Sequence, residues 1–169
     1  MKFPQSGGGG KPGGPRYNLA PMTRGPMLYF AYDATIDPER MSQVAPGAEF
    51  QFIAHLPEWR LTFPIPNGDG SLPSVHPESG NTVWGAVFRL PASEVQGLND
   101  LQSSEGRSPT TVQAMDREGR RHDVLVHVAE HANGQGRPEP GYLRRMVTGG
   151  RHWRLPAGWV ASLEEHFEA

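Results

Sequence analysis

The sequence predicts an α+β domain: a small barrel of mixed or mostly antiparallel strands with flanking helices. Three observations carry that expectation. Short segments with strand character outnumber helical ones. The two kinds do not alternate regularly, as they would in a parallel α/β fold. The 21 glycines and 17 prolines supply the many turns that a set of short strands demands.

Composition narrows the field further. A length of 169 residues suits one domain with a single sizeable core. Residues 1–26 hold Gly7 to Gly10, Gly13, Gly14 and five prolines, with almost no periodic apolar pattern. They read as a disordered tail ahead of a domain spanning 27–169. The tail is no phosphate-binding P-loop, because Gln5 and Pro12 stand where glycine and Ser/Thr are needed. A net charge of −2 with no Lys/Arg cluster argues against nucleic acid as a partner. Cysteine is absent, which removes disulfides, thiolate metal sites and a cysteine nucleophile. No apolar run approaches the roughly 20 residues of a membrane span, and the N-terminus lacks an apolar signal core. A soluble, intracellular, cytoplasmic protein is expected.

The stretch Met27-Leu-Tyr-Phe-Ala-Tyr32 is apolar and aromatic and reads as a buried strand. Asp33-Ala34-Thr35 must then bend tightly. Asp37-Pro38-Glu39 supplies an N-cap, a first-turn proline and a first-turn acid for a short helix to Ala45. Backbone N–H groups at such a strand-to-helix junction favour a bound anion or carbonyl oxygen.

Glu49–Leu56 and Trp59–Phe63 read as two strands separated by Pro57-Glu58, and Pro64–Gly80 as a long loop. Thr82–Leu90 is a strong strand in which Gly85 signals a bulge or a close backbone approach. Pro91–Ser104 is the best helix. Ser93 and Gln96 form a capping box, and Val95, Leu98 and Leu101 form a buried stripe. Pro109–Met115 and Arg121–Glu130 are strands joined by the turn Asp116-Arg-Glu-Gly119. Pro140–Thr148 is a helix stopped by Gly149-Gly150. A last helix begins at Leu155-Pro156, with Trp159, Val160, Leu163 and Phe167 on one face.

Among residues that could carry chemistry, Glu105 stands out at the end of the best helix, followed by Gly106. The negative helix C-terminus disfavours a carboxylate anion there, and partial burial would strengthen its hold on a proton. Such a group could shuttle protons near neutral pH. The plainer reading is a solvated acid at a helix end. His127 and His131 lie four apart, but on a strand they diverge by about 13 Å, so surface or strand-end histidines outweigh a metal site. The four tryptophans read as core or pocket wall. Tyr142 sits at a loop-to-helix junction and is the one aromatic set apart from the core.

Together these pieces resemble the γ-glutamylcyclotransferase-like family, from Leu28 nearly to the C-terminus. The resemblance rests on Tyr29-Phe-Ala-Tyr32, Trp59-Arg-Leu-Thr-Phe63 and Val83-Trp-Gly-Ala-Val-Phe88. It also rests on Glu105-Gly106 and on Pro140, Tyr142, Gly149-Gly150, Leu155-Pro156 and Trp159. It implies a small barrel with a pocket that takes a small-molecule γ-glutamyl compound and releases 5-oxoproline, with no cofactor or metal. Glu105 would be the general acid/base. Tyr32, Asp33, Ala34 and Thr35 would form the substrate-binding loop, with Tyr142 near the pocket. The family's Gly-Ser after the loop tyrosine is Asp33-Ala34 here. That change is expected to repel a substrate carboxylate, and it opens a second reading: a catalytically silent binding module on the same fold, recognising a small polar ligand or a protein.

Overall fold

The computed structural model describes residues 25–130 and 134–168. The tail expected over 1–26 falls mostly outside the described residues, as does His131. Five strands form a closed barrel in the order β1-β3-β2-β4-β5. They are β1 (Met27–Ala31), β2 (Glu49–Asn67), β3 (Gly70–Leu90), β4 (Arg107–Asp116) and β5 (Arg121–Ala129). Four helices flank them: α1 (Pro38–Val44), α2 (Ala92–Ser104), α3 (Pro140–His152) and α4 (Ala157–Glu164). The pairings are antiparallel except where β1 meets β5, in parallel register at Tyr29 and Leu125. The expected mixed barrel with flanking helices is the observed architecture.

Strand β1 buries both of its faces. Tyr29 and Ala31 join the cluster that carries the helices, with Met41, Leu98, Leu143, Met146 and Leu163. Phe30, and Tyr32 just past the strand's end, join a second cluster with Leu56, Val83, Val87, Ala114 and Val126 of the other strands. Period-two alternation sends neighbouring side chains to opposite sides, so a strand covered on both reads as one continuous apolar run. Gly85 is the close approach its position suggested. A Cβ there would sit 2.6 Å from the Ala31 carbonyl oxygen and from the Phe30 ring.

Several expectations are corrected. Glu49–Phe63 is a single strand, and Pro64–Gly80 is no loop: it completes a long β2–β3 hairpin closed at Asn67 and Gly70. The prolines misled because each removes a ladder donor. The hairpin absorbs them through register shifts at Pro57/Trp59 and Thr62/Ile65, with Glu58 at φ 66. The capping box at Ser93 does not form, because Pro91 is the N-cap of α2 and no side chain caps it. Helix α3 does not stop at Gly149-Gly150 but runs through to His152. Gly149 serves contact instead: a Cβ there would sit 2.4 Å from the Ile36 carbonyl oxygen. The absent side chain lets α3 pack directly on the backbone after β1.

Candidate active site

Three chain segments converge at one end of the barrel. After β1, Asp33 caps a single 3-10 turn, Ala34–Ile36, its side chain accepting from the Thr35 N–H at 2.9 Å. Asp33 has φ −99, so the turn does not need a glycine at this position. Trp153 ties the turn to α3, its indole N–H donating to the Ile36 carbonyl at 2.8 Å while the ring stacks on Phe50 at 4.2 Å.

The second segment is the end of α2. Glu105 is its C-cap, and Gly106 at φ +92 swings the chain into β4. That left-handed conformation favours glycine and explains the acid-glycine pair. The third is the start of α3, where the Glu139 carboxylate accepts from the N–H groups of Gly141 and Tyr142 at 2.9 and 2.7 Å.

Arg107 joins all three, and sequence reasoning missed it. Its side chain is fully buried. Nη1 donates to Glu105 Oε1 at 2.6 Å and to Gln102 Oε1 at 2.7 Å. Nη2 donates to the Tyr142 hydroxyl at 3.1 Å, and Nε to the Pro73 carbonyl at 2.8 Å. Asp33 Oδ2 lies 3.6 Å from Nη1. The Gln102 amide closes the circuit, donating to Asp33 Oδ2 at 2.8 Å and to the Tyr29 hydroxyl at 3.1 Å. Tyr142 in turn donates to Glu105 Oε1 at 3.0 Å.

The charges follow from this wiring. Burial pushes the Asp33 carboxyl upward, but Arg107 and the bonds from Thr35 and Gln102 outweigh it and hold Asp33 below the usual carboxylate range. Burial raises the Tyr142 hydroxyl well above its ordinary value, and Asp33 adds to the effect. It also raises Tyr32, whose hydroxyl donates to the His127 carbonyl at 2.6 Å. His127 is not the surface or strand-end residue the sequence suggested. It is buried, and burial depresses its pKa to about 4. Nε2 lies 2.7 Å from Asn99 Oδ1, and Nδ1 has no partner among the described residues.

A pocket of about 760 Å³ opens between the turn after β1 and α3. Ala34, Glu105 and Tyr142 line it, together with Asp37, Glu39, Arg40, Glu139, Arg144 and Arg145. Glu105 is the member of the Asp33–Arg107–Glu105 group that reaches the pocket, with a fifth of its side chain exposed. The structure thus brings together three of the six expected site residues. Tyr32, Asp33 and Thr35 are buried behind the pocket wall and do not line it. Asp33 therefore turns inward against Arg107 rather than presenting a bare charge to a ligand. The signal that could have found Arg107 was there: a buried acid after β1 demands a cation, and Arg107 opens β4 beside Glu105-Gly106.

No family model matches the chain. The γ-glutamylcyclotransferase of Bos taurus is 25% identical over 145 residues, covering 80% of this chain and 76% of that protein. The Mus musculus γ-glutamylcyclotransferase is 23% identical over 145 residues, covering 81% and 77%. A solved structure of a γ-glutamyl cyclotransferase superposes with a TM-score of 0.77 at 23% identity, covering 82% of this chain and 86% of that one. The chain is similar in sequence to γ-glutamylcyclotransferases at 23–25% identity and shares their fold.

Proposed function

We propose that the protein releases 5-oxoproline from a γ-glutamyl compound, with Glu105 as general acid/base. One observation carries this reading: the Glu105 carboxylate faces the pocket that Ala34 of the β1 turn also lines. The α-amine of the substrate attacks its own γ-carbonyl carbon, the lactam C–N bond forms, and the γ-amide C–N bond breaks. Glu105 takes the proton that the attacking nitrogen loses and delivers one to the leaving nitrogen. A single well-placed carboxylate suffices for both transfers. The charge on Asp33 gives no reason to bar a substrate carboxylate, because that side chain is buried against Arg107. Free γ-glutamyl amino acids therefore belong in the substrate panel.

A second reading has its own support. Arg107 Nη1 holds Glu105 Oε1 at 2.6 Å, occupying an oxygen that a base would use. On that reading the pocket binds a small polar ligand without turning it over.

The deciding experiment is detection of 5-oxoproline by mass spectrometry across γ-glutamyl amino acids and γ-glutamyl amines. Glu105→Gln is run beside the native protein. The expected result is product from the native chain and a loss of about 10²-fold or more in the variant. No product from folded native protein across the panel would leave the binding reading standing.

A further inference from the structure

We propose that Asp33 and Arg107 act as one positioning unit for Glu105: Arg107 aims the carboxylate at the pocket, and Asp33 draws off part of the guanidinium charge so that Glu105 can still exchange a proton. The inference rests on the cyclotransfer reading of the pocket and deepens it.

Arg107 and Asp33 are shut from solvent, whereas Glu105 is not. A buried guanidinium with one carboxylate partner would bind that partner strongly and hold it as an anion. Here the single cation sits between two carboxylates, with Glu105 Oε1 at 2.6 Å and Asp33 Oδ2 at 3.6 Å. Gln102 fixes the arrangement. Its amide oxygen accepts from Arg107 and its amide nitrogen donates to Asp33, so the two charges set the orientation of the amide between them. Asp33 is held independently by the Thr35 N–H and hydroxyl at 2.9 and 2.5 Å. It cannot swing away from Arg107 without unmaking the turn after β1.

The other groups facing Glu105 do not supply this balance. Tyr142 from α3 donates to it, and Tyr32 lies behind it at the end of β1. Glu139, Arg144 and Arg145 of the α3 region and Asp37, Glu39 and Arg40 of the α1 region line the same pocket. Arg145 is itself engaged by Asp37 and Glu39 at 2.6 and 3.3 Å. Among the described residues only Arg107 and Tyr142 bond the Glu105 carboxylate directly.

The test compares pH profiles of kcat for the native chain, Asp33→Asn and the double variant Asp33→Asn/Gln102→Glu. The double variant moves the anion one side chain along the circuit while keeping it on Arg107. With Asp33 neutralised, Arg107 is left to Glu105, so the acidic limb should move to lower pH by about one unit. The plateau rate should fall severalfold as the base weakens. The double variant should return the limb toward the native position. A carboxylate titration of Glu105 followed by carbon NMR should shift the same way, and it can be read even if no substrate is turned over. An absence of 5-oxoproline would thus refute the cyclotransfer reading, while an unmoved Glu105 titration in folded Asp33→Asn would overturn the positioning unit. Should Asp33→Asn not fold, Gln102→Glu in the native background probes the same coupling. A third carboxylate on Arg107, beside those of Glu105 and Asp33, should move the limb to higher pH, and an unmoved limb overturns the proposal.

Discussion

Arg107 and Glu105 stand two residues apart across Gly106, and the positive φ of that glycine folds the guanidinium back onto the carboxylate at 2.6 Å. A helix C-terminus by itself disfavours a carboxylate anion, but here a cation stands at the first residue of the following strand.

The buried pair should show in stability. Removing one partner of a buried ion pair costs about 3–5 kcal/mol, whereas replacing both with apolar groups is often neutral. Arg107→Met alone is expected to be destabilising on that scale. Asp33→Ala/Arg107→Met should cost clearly less than the two single changes added together. Urea unfolding of the four proteins checks this, and strict additivity would refute the pairing.

Tyr142 touches both members of the Glu105–Arg107 pair, accepting from one and donating to the other. Tyr142→Phe leaves the Arg107 Nη2 donor without that acceptor, at about 1–3 kcal/mol. It also frees Glu105 from one bond. A lowered Tm together with reduced 5-oxoproline release is expected; a reduced rate with an unchanged Tm would count against the structural half of this role.

The contact at Gly149 links α3 to the turn that lines the pocket. Gly149→Ala must push a methyl group against the Ile36 carbonyl oxygen, a separation of 2.4 Å before relaxation. Overpacking of this kind costs about 1–3 kcal/mol. Because Ile36 closes the turn carrying Ala34, ligand binding should weaken along with stability. Gly158→Ala, with open space around its Cβ, is the control expected to do neither.

His127 should make stability depend on pH. Its folded pKa, about 4, lies below the ordinary value of 6.5 because burial disfavours the charged ring. The unfolded chain therefore binds the proton first as pH falls. The stabilisation is fully present above about 6.5 and is lost progressively between there and about 4, on the order of 3 kcal/mol in all. Asp33, also depressed, adds a further loss at lower pH, below its ordinary value of 3.8. Chemical denaturation between pH 7 and 4 tests the first window. His127→Gln should flatten it, and an unchanged slope would show that His127 is not its source.

The sequence by itself determined the barrel class, the buried β1, the Asp37 cap of α1, the close approach at Gly85 and the acid-glycine end of α2. Each of these is written in adjacent residues, as period, cap or glycine, and local chemistry enforces it. Proline-rich β2 and β3 were legible only as fragments, because local propensity lost to the ladder that pairs one with the other. Gly149 read as a stop and proved to be a contact, since only the packing of α3 on Ile36 reveals what the missing side chain admits. The site divides the same way. Glu105, Ala34 and Tyr142 could be singled out along the chain, but the inward turn of Asp33 and its tie to Arg107 could not. Those residues lie 74 positions apart, and what couples them is exclusion from water, which raises the cost of an unpaired charge until each requires the other.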